Sequence, residues 1–247
     1  MTLAETNLAY RRPDLYDALS ADPASAQLCT SLIARYGPPG ATTLLDLGCG
    51  TGRDLEYFAE FYLCVGVDLQ PDLVDFACRH RPHLDIRVGD MRTFRLGHPV
   101  DAVVCLGNSL AYLHDNSDIH AAFAAFAAHS RPGTVLVVVT AIAPGPDGPP
   151  TVGDVDTGHV RARVSVCHQW NPRTQIATVH RDWSLDDGRT VTDQIRRRVL
   201  FPRELELYAV TAGFSPVALF TDPHDPEGPL TGSSAHFVAR YEPVARD

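Results

Sequence analysis

The 247-residue sequence contains no lysine, all 21 of its Lys and Arg positions being arginine. That absence excludes a Schiff-base mechanism and an amine nucleophile from a side chain. Positive charge is scarce overall, because 30 acidic residues leave a formal net charge of -9. A nucleic-acid partner, which selects for a basic face, is thereby disfavoured. The six cysteines, at positions 29, 49, 64, 78, 105 and 167, form no C-x-x-C and several fall in apolar segments. They read as reduced core thiols. The eleven histidines show neither H-x-x-x-H nor H-E-x-x-H spacing, so no metal is expected. Residues 1–14 contain no apolar signal core, and the longest apolar run, around 134–143, is too short for a bilayer. The expectation is a cytoplasmic protein with no membrane partner.

Apolar residues make up 45% and charged residues 21% of the chain, which suits one globular domain or a domain with an insertion. Residues 14–36 carry a helical stripe of Leu15, Leu19, Leu28, Leu32 and Ile33, broken near Asp22-Pro23 and stopped by Gly37 to Gly40. Strand and helix patterns then alternate: strands at 43–47, 64–69, 85–89, 102–106 and 134–140, helices at 53–61, 71–81 and 118–130. Nearly all-apolar strands separated by helices predict an α/β fold with a parallel sheet covered on both faces. The Pro/Gly-rich stretch 143–150 reads as a linker. Beyond it, 159–168, 174–183 and 189–201 read as a three-stranded antiparallel meander, with turns at Asn171-Pro and Asp187-Gly188. A helix from Pro202 to Gly213 and strands at 217–221 and 235–241 close the main sheet. The implied domains are 1–142 with 202–247, and an inserted subdomain at 151–201.

The most informative segment is Leu44-Leu-Asp-Leu-Gly-Cys-Gly-Thr-Gly52, followed by Asp68 at the end of the next strand. Glycines let a backbone approach a ligand closely, and a carboxylate about twenty residues on can accept ribose hydroxyls. A dinucleotide fingerprint would space its glycines G-x-G-x-x-G to admit a pyrophosphate. Here Gly48, Gly50 and Gly52 follow Asp46, whose carboxylate repels an anion and attracts an ammonium group. A nicotinamide-dependent oxidoreductase is therefore the weaker rival.

With that spacing the sequence resembles the class I S-adenosylmethionine-dependent methyltransferases, whose first motif is an acidic residue followed by G-x-G-x-G. The resemblance implies a Rossmann-like sheet with helices on both faces, with the meander capping the active site, and S-adenosyl-L-methionine as cofactor. It assigns cofactor contacts to Asp46, Gly48, Gly50, Asp68, Leu69, Asp90 and Met91, although Asp90 taken alone is also an ordinary turn residue. The stretch from Cys105 to Leu113 is similar to one in glycine and amino-sugar N-methyltransferases, adding Leu106 and Ser109 to the cofactor side. Tyr16 resembles the aromatic that closes over the methyl donor in those enzymes, or is simply a helix tyrosine.

Those enzymes often carry His at the position of Tyr112, and no Arg follows the fifth strand at 140–144 to grip an amino-acid carboxylate. Free glycine is a poor acceptor for such a site. Methylating an amine requires its neutral form, so a group must take a proton, with Tyr16, Tyr112 and His114 as candidates. His114-Asp115 reads as a base with its orienting carboxylate, or as loop polarity; Arg196 to Arg198 as a phosphate site, or more readily a solvated strand edge; Trp170 and Trp183 as pocket walls or as core. The expected activity is N-methylation of a small natural-product or sugar intermediate, in a chain that could form a homodimer. O-methylation, and a cofactor-binding scaffold that has lost methyl transfer, are the alternatives.

Overall fold

A computed structural model describes residues 7–20, 22–145, 148–158 and 161–242. His159, where the first meander strand was expected to begin, lies outside the described residues, as do Met1 to Thr6. Two sheets organise the chain. The larger has seven strands: β1 (Thr43–Leu47), β2 (Leu63–Asp68), β3 (Asp85–Val88), β4 (Val100–Cys105), β5 (Ser130–Ala141), β10 (Phe214–Phe220) and β11 (Ser234–Tyr241). Their spatial order is β3-β2-β1-β4-β5-β11-β10, parallel from β3 through β5, with β11 antiparallel to both neighbours. The smaller sheet is an antiparallel meander of β6 (Thr151–Asp156), β7 (Arg161–Asn171), β8 (Ile176–Leu185) and β9 (Thr190–Arg198).

Helices α1 (Leu8–Arg11), α2 (Pro13–Leu19), α3 (Ala24–Tyr36), α4 (Arg53–Phe58), α5 (Pro71–His80), α6 (Asn116–Ala128) and α7 (Pro202–Thr211), with a 3-10 turn at Ser109–Tyr112, complete the described structure. Every residue of β4 is buried, as a central strand between two helical layers requires, and its one charged residue, Asp101, accepts from Thr42, Thr43 and Arg131. One core cluster joins β1, β4 and β5 to Phe123, Phe126, Leu205 and Phe237, and a second joins the opposite face to Ile33, Leu55, Phe58 and Val74. Each such side chain contributes about 1.5 to 3 kcal/mol on burial. The sheet that fixes the site is therefore held from both sides.

Two sequence expectations are corrected here. The meander has four strands, not three, because Thr151–Asp156 pairs with β7 directly after the proline-rich stretch. Five of its six residues are exposed, so this edge strand carries no apolar alternation to detect. The strand expected from Val217 begins at Phe214 and includes Pro216, which the sheet tolerates because β10 is an edge and its register shifts there. The break near Pro23 stands: α2 ends at Leu19 and α3 begins at Ala24. Among the described residues no helix is long and apolar enough to cross a membrane.

Candidate active site

The parallel strands deliver the chain to one rim of the large sheet, where a glycine turn follows β1. Gly48 (φ +100°) and Gly50 (φ +56°) adopt left-handed conformations that burden residues with side chains. Space imposes the same choice, since a Cβ on Gly48 would lie 2.5 Å from Ser109 Oγ and one on Gly50 2.7 Å from the Tyr16 ring. Tyr16 thus rests on the turn. Ser109 donates to the Gly48 carbonyl at 3.2 Å and ties the turn to the segment after β4.

Asp46 is 2% exposed, and its Oδ1 has no hydrogen-bond partner. Burial pushes its carboxyl well above the usual carboxylate range, and the charges of Asp54 and Asp68 push it further. A buried carboxylate lacking partners offers a place for a cation. Asp68, at the end of β2, accepts from the backbone N–H of Gly50 and of Gln70, both at 2.8 Å. Burial outweighs those bonds and holds its carboxyl above the ordinary value. Its oxygens retain lone pairs for further donors.

Two hollows flank the turn and share Gly48. The smaller, about 190 Å³, is lined by Tyr16, Asp46, Asp54 and Leu106; the larger, about 530 Å³, by Tyr10, Asp68, Leu69, Asp90, Met91, Ser109, Tyr112 and His114 among others. The predicted residues gather around the turn but divide between the hollows: Tyr16, Asp46 and Leu106 line only the smaller, and Asp68, Leu69, Asp90, Met91, Ser109, Tyr112 and His114 only the larger. Gly50 lines neither and lies against Tyr16.

The match to known proteins agrees with this geometry. The family described as "Methyltransferase domain" matches residues 44–133. The dTDP-3-amino-3,6-dideoxy-alpha-D-glucopyranose N,N-dimethyltransferase of Streptomyces fradiae is 34% identical over 186 residues, 74% of this chain and 72% of that protein. The S-adenosylmethionine-bound amino pentose methyltransferase CalS10 of Micromonospora echinaspora has a TM-score of 0.77 at 27% identity, covering 91% of this chain and 94% of that one. The chain belongs to the S-adenosylmethionine-dependent methyltransferases. A further relative of this methyltransferase, the dTDP-3-amino-3,4,6-trideoxy-alpha-D-glucopyranose N,N-dimethyltransferase of Streptomyces venezuelae, is 42% identical over 107 residues, 43% of this chain and 45% of that protein. The chain thus spans less than half the length of that relative.

In the methyltransferase, Tyr10 is the residue that sequence reasoning missed. Its ring centroid lies 5.7 Å from that of Tyr16 and 5.8 Å from that of Tyr112, bridging the two hollows. Burial, then the neighbouring tyrosines, raise its hydroxyl well above the ordinary phenol value. The Tyr16 hydroxyl is likewise raised, by burial first and then by Asp68. Neither phenol is a source of phenolate at neutral pH. The short helix α1 that carries Tyr10 is fixed by Asp193 of β9, which accepts from Leu8 N at 2.6 Å and Trp183 Nε1 at 3.1 Å. Trp183 is therefore core, whereas Trp170 stacks edge-on against Phe201 at 6.5 Å.

Three other expectations change in the methyltransferase. Asp90 does serve as a turn residue, accepting from Arg92 N at 2.9 Å, and it also pairs with the Arg92 guanidinium, which holds its carboxyl below the usual range. Arg92 reaches on to Asp118 at 2.8 Å. The His114 ring is not oriented by Asp115, which is exposed; its Nε2 lies 3.1 Å from the Arg196 carbonyl oxygen. The arginine triplet is not a solvated edge throughout. Arg198 is 7% exposed and bonded to Glu204, while the Arg197 guanidinium lies 5.9 Å over the Tyr112 ring. Arg196, two residues before Arg198 on the same face of β9, is exposed, so it is Gln175 and Glu204 at the strand's end that take Arg198 out of solvent.

Proposed function

We propose that the methyltransferase N-methylates the amino group of a nucleotide-linked amino sugar in natural-product biosynthesis, acting in the cytoplasm. The observation that carries this reading is the pairing of two environments across one glycine turn. On one side is a buried carboxylate without partners, Asp46; on the other, a cleft holding Tyr112 and His114. The relatives' amino-sugar acceptors supply the substrate class.

S-adenosylmethionine, when bound, supplies a methyl group on a positively charged sulfur. On this reading Asp46 holds its ammonium group, which the orphaned Oδ1 fits, and Asp68 accepts the ribose hydroxyls. Gly48 and Gly50 allow close approach of the backbone, Asp90 and Met91 take the adenine, and Leu69, Leu106 and Ser109 line the path between. Tyr16 covers the turn and excludes water. Tyr112 orients the acceptor nitrogen, and His114 takes its proton, because an ammonium has no lone pair with which to attack. Residues 151–201 form an inserted unit that closes the acceptor side, which the contact of Arg197 with Tyr112 supports.

The test is a panel of amine and hydroxyl acceptors scored for S-adenosylhomocysteine release. Release with amino-sugar nucleotides and not with their hydroxyl counterparts is expected. Release only with hydroxyl acceptors would replace this reading by O-methylation.

A further inference from the structure

We infer that His114 acts through Nδ1 and that Arg198 is the positioning residue that makes it do so. The inference rests on the amine-methylation reading and identifies how the proton acceptor is set. The His114 Nε2 faces the Arg196 carbonyl oxygen at 3.1 Å. A carbonyl can only accept, so Nε2 carries the ring hydrogen and Nδ1 holds the lone pair. Among the described residues no hydrogen bond engages Nδ1.

The same strand grips the residue a second time. Arg198 Nη1 donates to the His114 carbonyl at 3.0 Å, while Nη2 reaches Gln175 Oε1 at 2.5 Å and Glu204 Oε1 at 2.6 Å. One guanidinium fork therefore joins β9, the turn before β8, helix α7 and the segment after Tyr112. Its planar, five-donor geometry suits three acceptors held in fixed directions, which a lysine ammonium on a flexible stem does not reproduce. His114 is held by its ring and by its backbone, both from β9, with no carboxylate behind the imidazole.

The step this permits is balanced. The acceptor ammonium gives one proton to His114 Nδ1 and becomes an amine. The nitrogen lone pair then forms the C–N bond to the methyl carbon while the C–S bond breaks and its electron pair stays on sulfur. His114 returns its proton to water through the open cleft. Charged or titratable groups that line the same cleft are Tyr10, Asp68, Asp90, Arg92, Tyr112, Asp118 and Arg196, with Arg198 of β9 on the His114 backbone.

The experiment pairs His114→Gln with Arg198→Met and Arg198→Lys. Glutamine can still donate to the Arg196 carbonyl but offers no base. Its melting temperature should stay near that of the parent, kcat should fall about 10² to 10⁴-fold, and the acid limb of the kcat/KM profile should vanish. Arg198→Met should lower kcat about tenfold at unchanged KM for the cofactor, with partial recovery in Arg198→Lys. Long-range ¹⁵N–¹H spectra of the cofactor-free protein should show His114 protonated at Nε2, and this signature should be lost or averaged in Arg198→Met. An Nδ1–H signal, or a His114→Gln enzyme that keeps its rate and acid limb, would overturn the inference. Failure of every amine acceptor would instead defeat the underlying reading, with the spectra still deciding the tautomer.

Discussion

The donor and acceptor residues around the glycine turn are built in opposite ways, although Asp68 lines the same hollow as Tyr112 and His114. The donor side is mostly backbone and short-range: Asp46, Gly48 and Gly50 lie within five residues, and Asp68 binds Gly50 N across one strand pair. The acceptor side is assembled from side chains far apart in sequence, with Tyr10 on α1, Tyr112 and His114 after β4, and Arg196 and Arg198 on β9. The first depends on a local conformation that few sequences can adopt; the second depends on tertiary packing. A donor-side substitution should therefore affect every substrate alike, and an acceptor-side substitution should affect turnover while sparing cofactor affinity.

The largest effect on cofactor affinity is expected from Asp68→Ala. It removes charge-assisted bonds worth about 1.5 to 3 kcal/mol each and also releases Gly50 N and Gln70 N. Calorimetry should show affinity for S-adenosylhomocysteine falling at least a hundredfold; unchanged affinity would end the donor-side assignment. Next is Tyr112→Phe, which should lower kcat about tenfold to a hundredfold and leave cofactor affinity intact, because a phenol orients more than it abstracts. Weakened cofactor binding in that variant would erase the proposed division.

A smaller effect follows from Asp54, whose carboxyl burial pushes up to about 6. Between the ordinary carboxylate range and about 6, the folded cofactor-free protein holds this proton more firmly than the unfolded chain does. Asp54 therefore costs stability as pH rises through that window. A cation bound in the hollow that Asp54 lines favours the ionised form. Cofactor affinity should thus weaken several-fold as pH falls from 7 to 5, and Asp54→Asn should flatten the dependence. An equally steep slope in the variant would assign it to another group.

This contrast also explains what the sequence revealed. The order of strands and helices was legible because buried parallel strands are nearly all apolar, as in the run from Ala102 to Cys105, and the donor side because its residues fall within one motif. Tyr10 was not, since Pro13 separates α1 from α2 and breaks any periodic relation between Tyr10 and Tyr16. Arg198 was not, since strand alternation predicts opposite faces for adjacent arginines but not that Glu204 and Gln175 await one of them. Strand Thr151–Asp156 was hidden by its own exposure at a sheet edge.

The central claim is that this chain transfers methyl groups to the amino nitrogen of a sugar nucleotide. The most direct measurement is mass spectrometry with NMR of the product formed from S-adenosylmethionine and a dTDP-amino sugar. The account predicts one or two methyl groups on the amino nitrogen, with stoichiometric S-adenosylhomocysteine. Methyl groups on a ring hydroxyl, or cofactor binding with no transfer to any amino sugar, would contradict it.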